Sequence, residues 1–243
     1  MTETFVTSDG VRLWTIAQGS GVPLVLCNGG PGCGDYLAPL ATMLNDLAWV
    51  IRFEARGCGR SDQGPLYTVA TCLADLEAIR QHYGIERWVV GGHSWGADLA
   101  LVYALEYPER VHGLVCISGG RVHNDREWHR LYSERRDQGL ETLPAFDYPP
   151  NLEVNADVGR SWKQYIQRPS LLKEIAHLDR PALFLYGERD IRPSWPVEQV
   201  AQLLPNAALL MIAGADHHIW VTHADALKAP LRAFVQRMTE QAV

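Results

Sequence analysis

Three side chains, each just past the end of an apolar run, have the types and the order needed to activate a hydroxyl nucleophile: Ser94, Asp190 and His217. Ser94 is the centre of Gly92-His93-Ser94-Trp95-Gly96. Trp88-Val89-Val90 leads into it, and Ala97 to Leu105 follow with helical spacing. A strand that turns sharply into a helix holds its corner residue strained and exposed. The backbone passes close to its neighbours there, so positions 92 and 96 must be small. A serine hydroxyl is a weak nucleophile at neutral pH; it needs a base beside it, and the base needs orienting. Behind such a corner the partners are expected in the order acid, then histidine. Leu183 to Gly187 runs into a turn ending at Asp190, and Leu209 to Ala213 runs into Asp216-His217-His218. Asp190 is assigned to hold the imidazole, with Glu188 as the other acid of that turn. His217, three residues after Gly214, is assigned as the base, with His218 as the alternative or as a packing neighbour at the pocket rim.

Acyl transfer also needs two backbone N–H groups aimed at the developing oxyanion. Trp95, the residue after the nucleophile, should supply one. Gly30, in Asn28-Gly29-Gly30-Pro31-Gly32, should supply the other, since close backbone approach demands glycine. A phosphate cradle is the rival reading of this glycine run, but it lacks both the Lys-Ser/Thr ending and the G-x-G-x-x-G order.

These residues must be held by a scaffold, and apolar runs of strand length alternate with helical patterns along most of the chain. That is the signature of a mostly parallel α/β sheet with helices on both faces. Thr4–Thr7 and Val11–Ala17 read as an opening hairpin around Ser8-Asp9-Gly10. Pro23–Cys27, Trp49–Phe53, Trp88–Val90, Leu114–Ile117, Ala182–Tyr186 and Ala208–Ile212 complete eight strands. Helices are expected at Tyr36–Asn45, Thr68–Tyr83, Trp95–Glu106, Val197–Leu204 and Ala224–Arg237, with Pro230 kinking or restarting the last one. Residues 121–178 break the alternation and read as a small helical cap over the site. The core would then be 1–120 and 179–243. Trp128 and Trp162 read as cap packing or pocket wall, and Trp95, Trp195 and Trp220 suggest an apolar pocket.

The 243 residues are 47% hydrophobic and 21% charged, with a net charge of −6, which fits one globular enzyme and argues against a nucleic-acid partner. Arg121, Arg126, Arg130, Arg135 and Arg136 alternate with acids, as on a solvated helix with salt-bridge spacing. Five cysteines, an odd number without a C-x-x-C pair, point to reduced thiols and a cytoplasmic setting. There is neither a leader pattern nor an apolar stretch of membrane-spanning length, so no membrane partner is expected. No cofactor is called for, and no metal: His217 and His218 are adjacent and would not face one ion from a helix. His82, His93, His112, His123, His129, His177 and His223 read as surface or structural.

Four segments carry a family resemblance. Asn28-Gly-Gly-Pro-Gly32, Arg56-Gly-Cys-Gly-Arg-Ser61, Gly91-Gly-His-Ser-Trp-Gly96 and Gly187-Glu-Arg-Asp190 with Pro193 resemble the oxyanion loop, bracing turn, nucleophile elbow and acid turn of α/β-hydrolases, specifically of proline iminopeptidases. The resemblance spans roughly residues 3–120 and 179–240. It implies the α/β-hydrolase fold and a Ser-His-Asp serine hydrolase acting on a small-molecule or short-peptide substrate. The chain departs from the pattern at Asn28, where histidine is usual, and at Asp216, where glycine is usual. Its cap of about 58 residues is also short, without an alignable counterpart for the acids that hold a peptide amine in that family. Aminopeptidase, carboxylesterase or lactonase, and a non-hydrolytic ligand-binding member of the fold all stay open at this level.

Overall fold

The computed structural model describes residues 1–241. Strands β1 (Thr2–Ser8) and β2 (Val11–Gly19) pair antiparallel in full register from Thr2↔Ala17 to Ser8↔Val11. Asp9-Gly10 closes them with both residues at positive φ, 50° and 78°, the primed turn whose twist matches the strands. The other strands are β3 (Val22–Cys27), β4 (Ala48–Phe53), β5 (Trp88–His93), β6 (Val111–Ile117), β7 (Ala182–Gly187) and β8 (Ala207–Ile212). They form one eight-stranded sheet in the order β1-β2-β4-β3-β5-β6-β7-β8, parallel from β4 to β8. From β3 the chain steps outward on one side to β4 and returns on the other side as β5. The crevice at the carboxyl ends of β3 and β5 is where an open parallel sheet receives its ligand.

Period-2 alternation divides the sheet's side chains between two cores. Val25, Val90, Leu114 and Phe184 pack under α2 (Val69–His82), α3 (Trp95–Glu106) and α7 (Trp195–Leu203). Leu24, Leu26, Val89, Val115 and Leu185 pack under α1 (Ala38–Leu44) and α9 (Ala224–Gln241) on the other face. Every residue of α3 from Gly96 to Ala104 is buried, all but Asp98 apolar or aromatic, so this helix packs on every side and fixes the corner at Ser94 from behind. α9 runs through Pro230 as one helix, without the expected break. Pro230 removes only the bond to the carbonyl of Ala226, an exposed residue, and water can take that carbonyl.

Between β6 and β7 lie α4 (Arg126–Asp137), α5 (Leu152–Tyr165) and α6 (Leu171–His177). On α4, Arg130 pairs with Glu127 and Glu134 on the exposed face, as the charge spacing implied. Arg121 departs from that pattern: its guanidinium lies 4.1 Å from the ring centroid of Trp128, which is buried. A four-residue helix, α8 (Ile219–Thr222), follows the histidine pair. No helix among the described residues is long and apolar enough to cross a membrane.

The Arg56–Ser61 turn is fastened at both ends. Arg56 forms two parallel bonds, 2.8 and 2.6 Å, to the carboxylate of Asp75 on α2, with both side chains buried. Ser61 Oγ donates to the Glu54 carbonyl at 2.6 Å and accepts from Trp14 N, stitching β2 to the end of β4. Asp75→Ala would strand the Arg56 charge in the core. It should lower the free energy of chemical unfolding by about 3–5 kcal/mol, the range for breaking a buried pair by removing one partner. A double change of Arg56 and Asp75 to apolar residues should recover part of that loss.

Candidate active site

Ser94 adopts φ 55° and ψ −123° between β5 and α3, one of three non-glycine residues at positive φ among the described residues. Such a conformation costs about 1–3 kcal/mol and persists only where the surroundings impose it. They do so here: Ser94 N donates to the Ile117 carbonyl at 2.8 Å, and its own carbonyl accepts from Ala97 N and Asp98 N. A Cβ on Gly92 would overlap the Gly96 backbone. One on Gly96 would overlap the Cys27 carbonyl, and one on Gly119 the carbonyl of Ser94 itself. The small residues flanking the serine are therefore required by contacts across the corner.

The loop after β3 lies against this corner. Gly30, with φ 49°, Ser94 and Trp95 line the same cavity. Asn28 braces the loop: its side chain donates to the Phe53 carbonyl at 2.7 Å and accepts from Tyr36 N at 3.3 Å.

Asp190 and His217 are both buried, and Asp190 Oδ2 accepts a 2.6 Å bond from His217 Nδ1. That bond leaves Nε2 as the basic nitrogen of the neutral ring. Glu188, the other acid of the turn, is exposed and accepts from Gly214 N instead. Burial pushes the Asp190 carboxyl up to about 6, opposed by Arg192, whose backbone N–H and guanidinium both donate to Oδ1. Burial, then the Arg192 charge, hold His217 well below the ordinary imidazole range, so the ring is neutral at neutral pH. Among the described residues no hydrogen bond joins Ser94 Oγ to His217; such bonds are often long in unliganded sites and tighten when substrate is bound.

His218 faces another way. Its Nδ1 donates to the Thr142 carbonyl at 3.0 Å, and Thr142 N donates back to Asp216 Oδ2 at 3.2 Å. Arg192 reaches the same stretch through Glu141 at 2.7 Å. The segment after α4 is thus fastened to the turns that carry Asp190 and His217, and Asp216 has its structural use here.

His93, expected to be surface or structural, is a buried structural residue. Its Nε2 donates to the His217 carbonyl at 3.1 Å, and Ser118 Oγ donates to the same oxygen at 2.8 Å. Its Nδ1 then accepts from Tyr36 Oη at 2.7 Å, and Tyr36 Oη accepts from Gly29 N at 2.7 Å. One chain of hydrogen bonds therefore joins the glycine loop to the histidine turn. His93, His217 and His218 bring ring nitrogens within 4.8 Å of one another, a grouping that residue spacing did not reveal. Four of the six nitrogens already hold partners, so the cluster reads as hydrogen-bonded packing and fits an ion poorly.

The cavity over Ser94 has a volume of about 340 Å³. Its floor is Gly30, Ser94, Trp95 and Gly119, and its walls come from Trp128 and Tyr132 on α4 and from Asn155, Gly159, Trp162 and Lys163 on α5. Of the tryptophans expected around it, Trp95 is present, packed edge-on to Trp162 at 5.2 Å. Trp220 stacks on Tyr36 beneath the histidines. Trp195 packs on His123 and is not among the lining residues. The lining is more polar than expected, with Arg121, Lys163 and Arg192 among it.

Residues 22–147 match the family model described as the alpha/beta hydrolase fold. A proline iminopeptidase of Saccharolobus solfataricus is 39% identical over 185 residues, covering 71% of this chain and 58% of that protein. The matched stretches span between 34% and 58% of the length of the curated relatives. Among solved structures, a thermophilic esterase from Thermogutta terrifontis superposes with a TM-score of 0.79 at 21% identity, covering 98% of this chain and 100% of that one. A proline iminopeptidase from Mycobacterium smegmatis superposes with a TM-score of 0.77 at 19% identity, covering 100% of both. At these identities the superpositions speak for the fold alone.

Proposed function

The chain belongs to the α/β-hydrolase family, and from that premise we propose that it is a cofactor-independent serine hydrolase of small esters, working through an acyl-enzyme on Ser94. The observation that carries this reading is Ser94 held at φ 55° on the floor of the cavity, with the buried Asp190–His217 pair at 2.6 Å on the neighbouring turns.

Ser94 Oγ attacks the ester carbonyl carbon while His217 Nε2 takes its proton. Asp190 steadies the resulting imidazolium, and the N–H groups of Gly30 and Trp95 receive the oxyanion. Collapse of the tetrahedral intermediate breaks the ester C–O bond, and His217 returns the proton to the departing alcohol. A water then gives its proton to His217 and attacks the acyl carbon; the bond from that carbon to Ser94 Oγ breaks as His217 returns the proton to Oγ, releasing the acid and restoring Ser94. Residues 121–178 serve as a cap that walls the substrate in. The unpaired thiols of all five cysteines favour a reducing, cytoplasmic setting.

Aminopeptidase action is the second reading, favoured by the 39% identity to a proline iminopeptidase. Against it stands the lining of the cavity. A free α-amine needs a carboxylate, and the one carboxylate among the described lining residues, Asp98, already accepts from Gly120 N and Arg121 N at 2.8 and 2.9 Å. Purified protein assayed on short p-nitrophenyl esters and on L-proline p-nitroanilide should cleave the esters and leave the anilide at background. Proline release faster than ester cleavage would replace the esterase reading with the aminopeptidase one. Absence of turnover on both would favour a ligand-binding member of the fold.

A further inference from the structure

We propose that the pocket selects esters whose acyl part carries a free carboxylate, with Lys163 and Arg121 as the groups that hold it; the proposal rests on the hydrolase reading above. The charges around the cavity do not balance. Among the described lining residues, Arg121, Lys163 and Arg192 stand against the single carboxylate of Asp98. Arg192 is neutralised by Asp190 and Glu141. Asp98 is 3% exposed and is spent on two backbone N–H groups and on Arg121 Nε at 3.9 Å. That leaves Lys163, which has no ion pair among the described residues, and Arg121. The Arg121 guanidinium is held against Trp128, bonded to the His123 carbonyl and only loosely to Asp98.

Placement follows from the helix repeat. Asn155, Gly159 and Lys163 lie four residues apart on α5 and all line the cavity, so they form one stripe facing it. A Cβ at Gly159 would meet nothing within 4 Å, which leaves open space beside the lysine. Ser94 is on the core side and Lys163 is on α5 of the inserted segment, while Arg121 stands where that segment leaves the core, bonded through its N–H to Asp98. An acyl chain spanning the cavity therefore presents its carbonyl to Ser94 and its distal carboxylate to the cations. Burial, and then the nearby positive charge of Arg121, lower the pKa of His123 and His129, so the positive charge on this wall comes from Arg121 and Lys163. A substrate with a free ammonium group would meet like charge on the same wall.

The test uses the full chain and three p-nitrophenyl esters: the glutarate monoester, its neutral methyl glutarate counterpart, and the cationic glycine ester. At low ionic strength kcat/KM for the anionic ester should exceed that for its neutral counterpart by about tenfold, the worth of one charge-assisted contact. The glycine ester should be the poorest relative to its intrinsic reactivity. Lys163→Glu should collapse the anionic-to-neutral ratio to unity or below, and added salt should erode it in the wild type. Equal kcat/KM for the glutarate pair with Ser94-dependent turnover, or a ratio that Lys163→Glu leaves in place, would overturn anion selection while the hydrolase reading stands.

A binding measurement separates the two ideas if no ester is turned over. Glutarate and dimethyl glutarate are titrated against Ser94→Ala protein, with the fluorescence of Trp95, Trp128 and Trp162 as the readout. Tighter binding of glutarate, lost in Ser94→Ala/Lys163→Glu, supports the anion site by itself. Equal binding of the two overturns it.

Discussion

Ser94→Ala should abolish covalent labelling by a fluorophosphonate and lower ester kcat by about five to six orders of magnitude, the loss expected when the nucleophile of a cooperating group is removed. The change should leave the fold intact, because alanine keeps the β-carbon and the bonds of Ser94 to Ile117, Ala97 and Asp98 run through its backbone. A thermal or denaturant midpoint close to wild type, together with lost labelling, would separate chemistry from stability. Ser118 provides the control. It also lines the cavity and also sits at positive φ, 50°, but its Oγ is committed to the His217 carbonyl at 2.8 Å. Label found on Ser118, or labelling that persists in Ser94→Ala, would overturn the assignment of the nucleophile.

The contrast between Ser94 and Ser118 shows what sequence order conveys and what it leaves out. Ser94 stands out in the chain because the glycines around it, the strand before it and the helix after it are all local. The same holds for Asp190 and His217, each the product of one strand and one turn. The sheet was legible for the same reason: Leu24, Leu26 and Val25 alternate between two cores, and that alternation is visible residue by residue. Contacts across long stretches of chain left no such trace. Arg192 acts on Asp190 from two residues away, yet its partner Glu141 is 51 residues distant. Tyr36 and His93 are 57 residues apart, and only folding makes them a bridge between the glycine loop and the histidine turn. His93 had one clue, its place as the last residue of β5. The pocket's polarity is hidden for a related reason: Trp195 and Trp220 flank the site in sequence but face other packing, whereas Lys163 comes from the last turn of an amphipathic helix, where a lysine is unremarkable.

His217→Ala should cost about as much as Ser94→Ala, and the double variant no more than either alone, because base and nucleophile act as one unit. His218→Ala should cost about tenfold at most, since its Nδ1 is given to the Thr142 carbonyl and its loss loosens a loop without removing a base. A reversed ranking would move the base to His218. The pH dependence sharpens the distinction. The base works in its neutral form, and burial with Arg192 lowers the His217 pKa. The acid limb of kcat/KM should therefore lie below the ordinary imidazole range near 6.5, with activity still on its plateau at pH 6.5. Arg192→Gln removes the positive charge that disfavours the imidazolium and that also favours the ionised Asp190. The first effect makes His217 easier to protonate and the second makes Asp190 easier to protonate, so a proton enters the coupled pair more readily and the limb should move to higher pH in that variant. A limb that stays in place or moves to lower pH would mean that the group titrating in the free enzyme is not the Asp190–His217 pair.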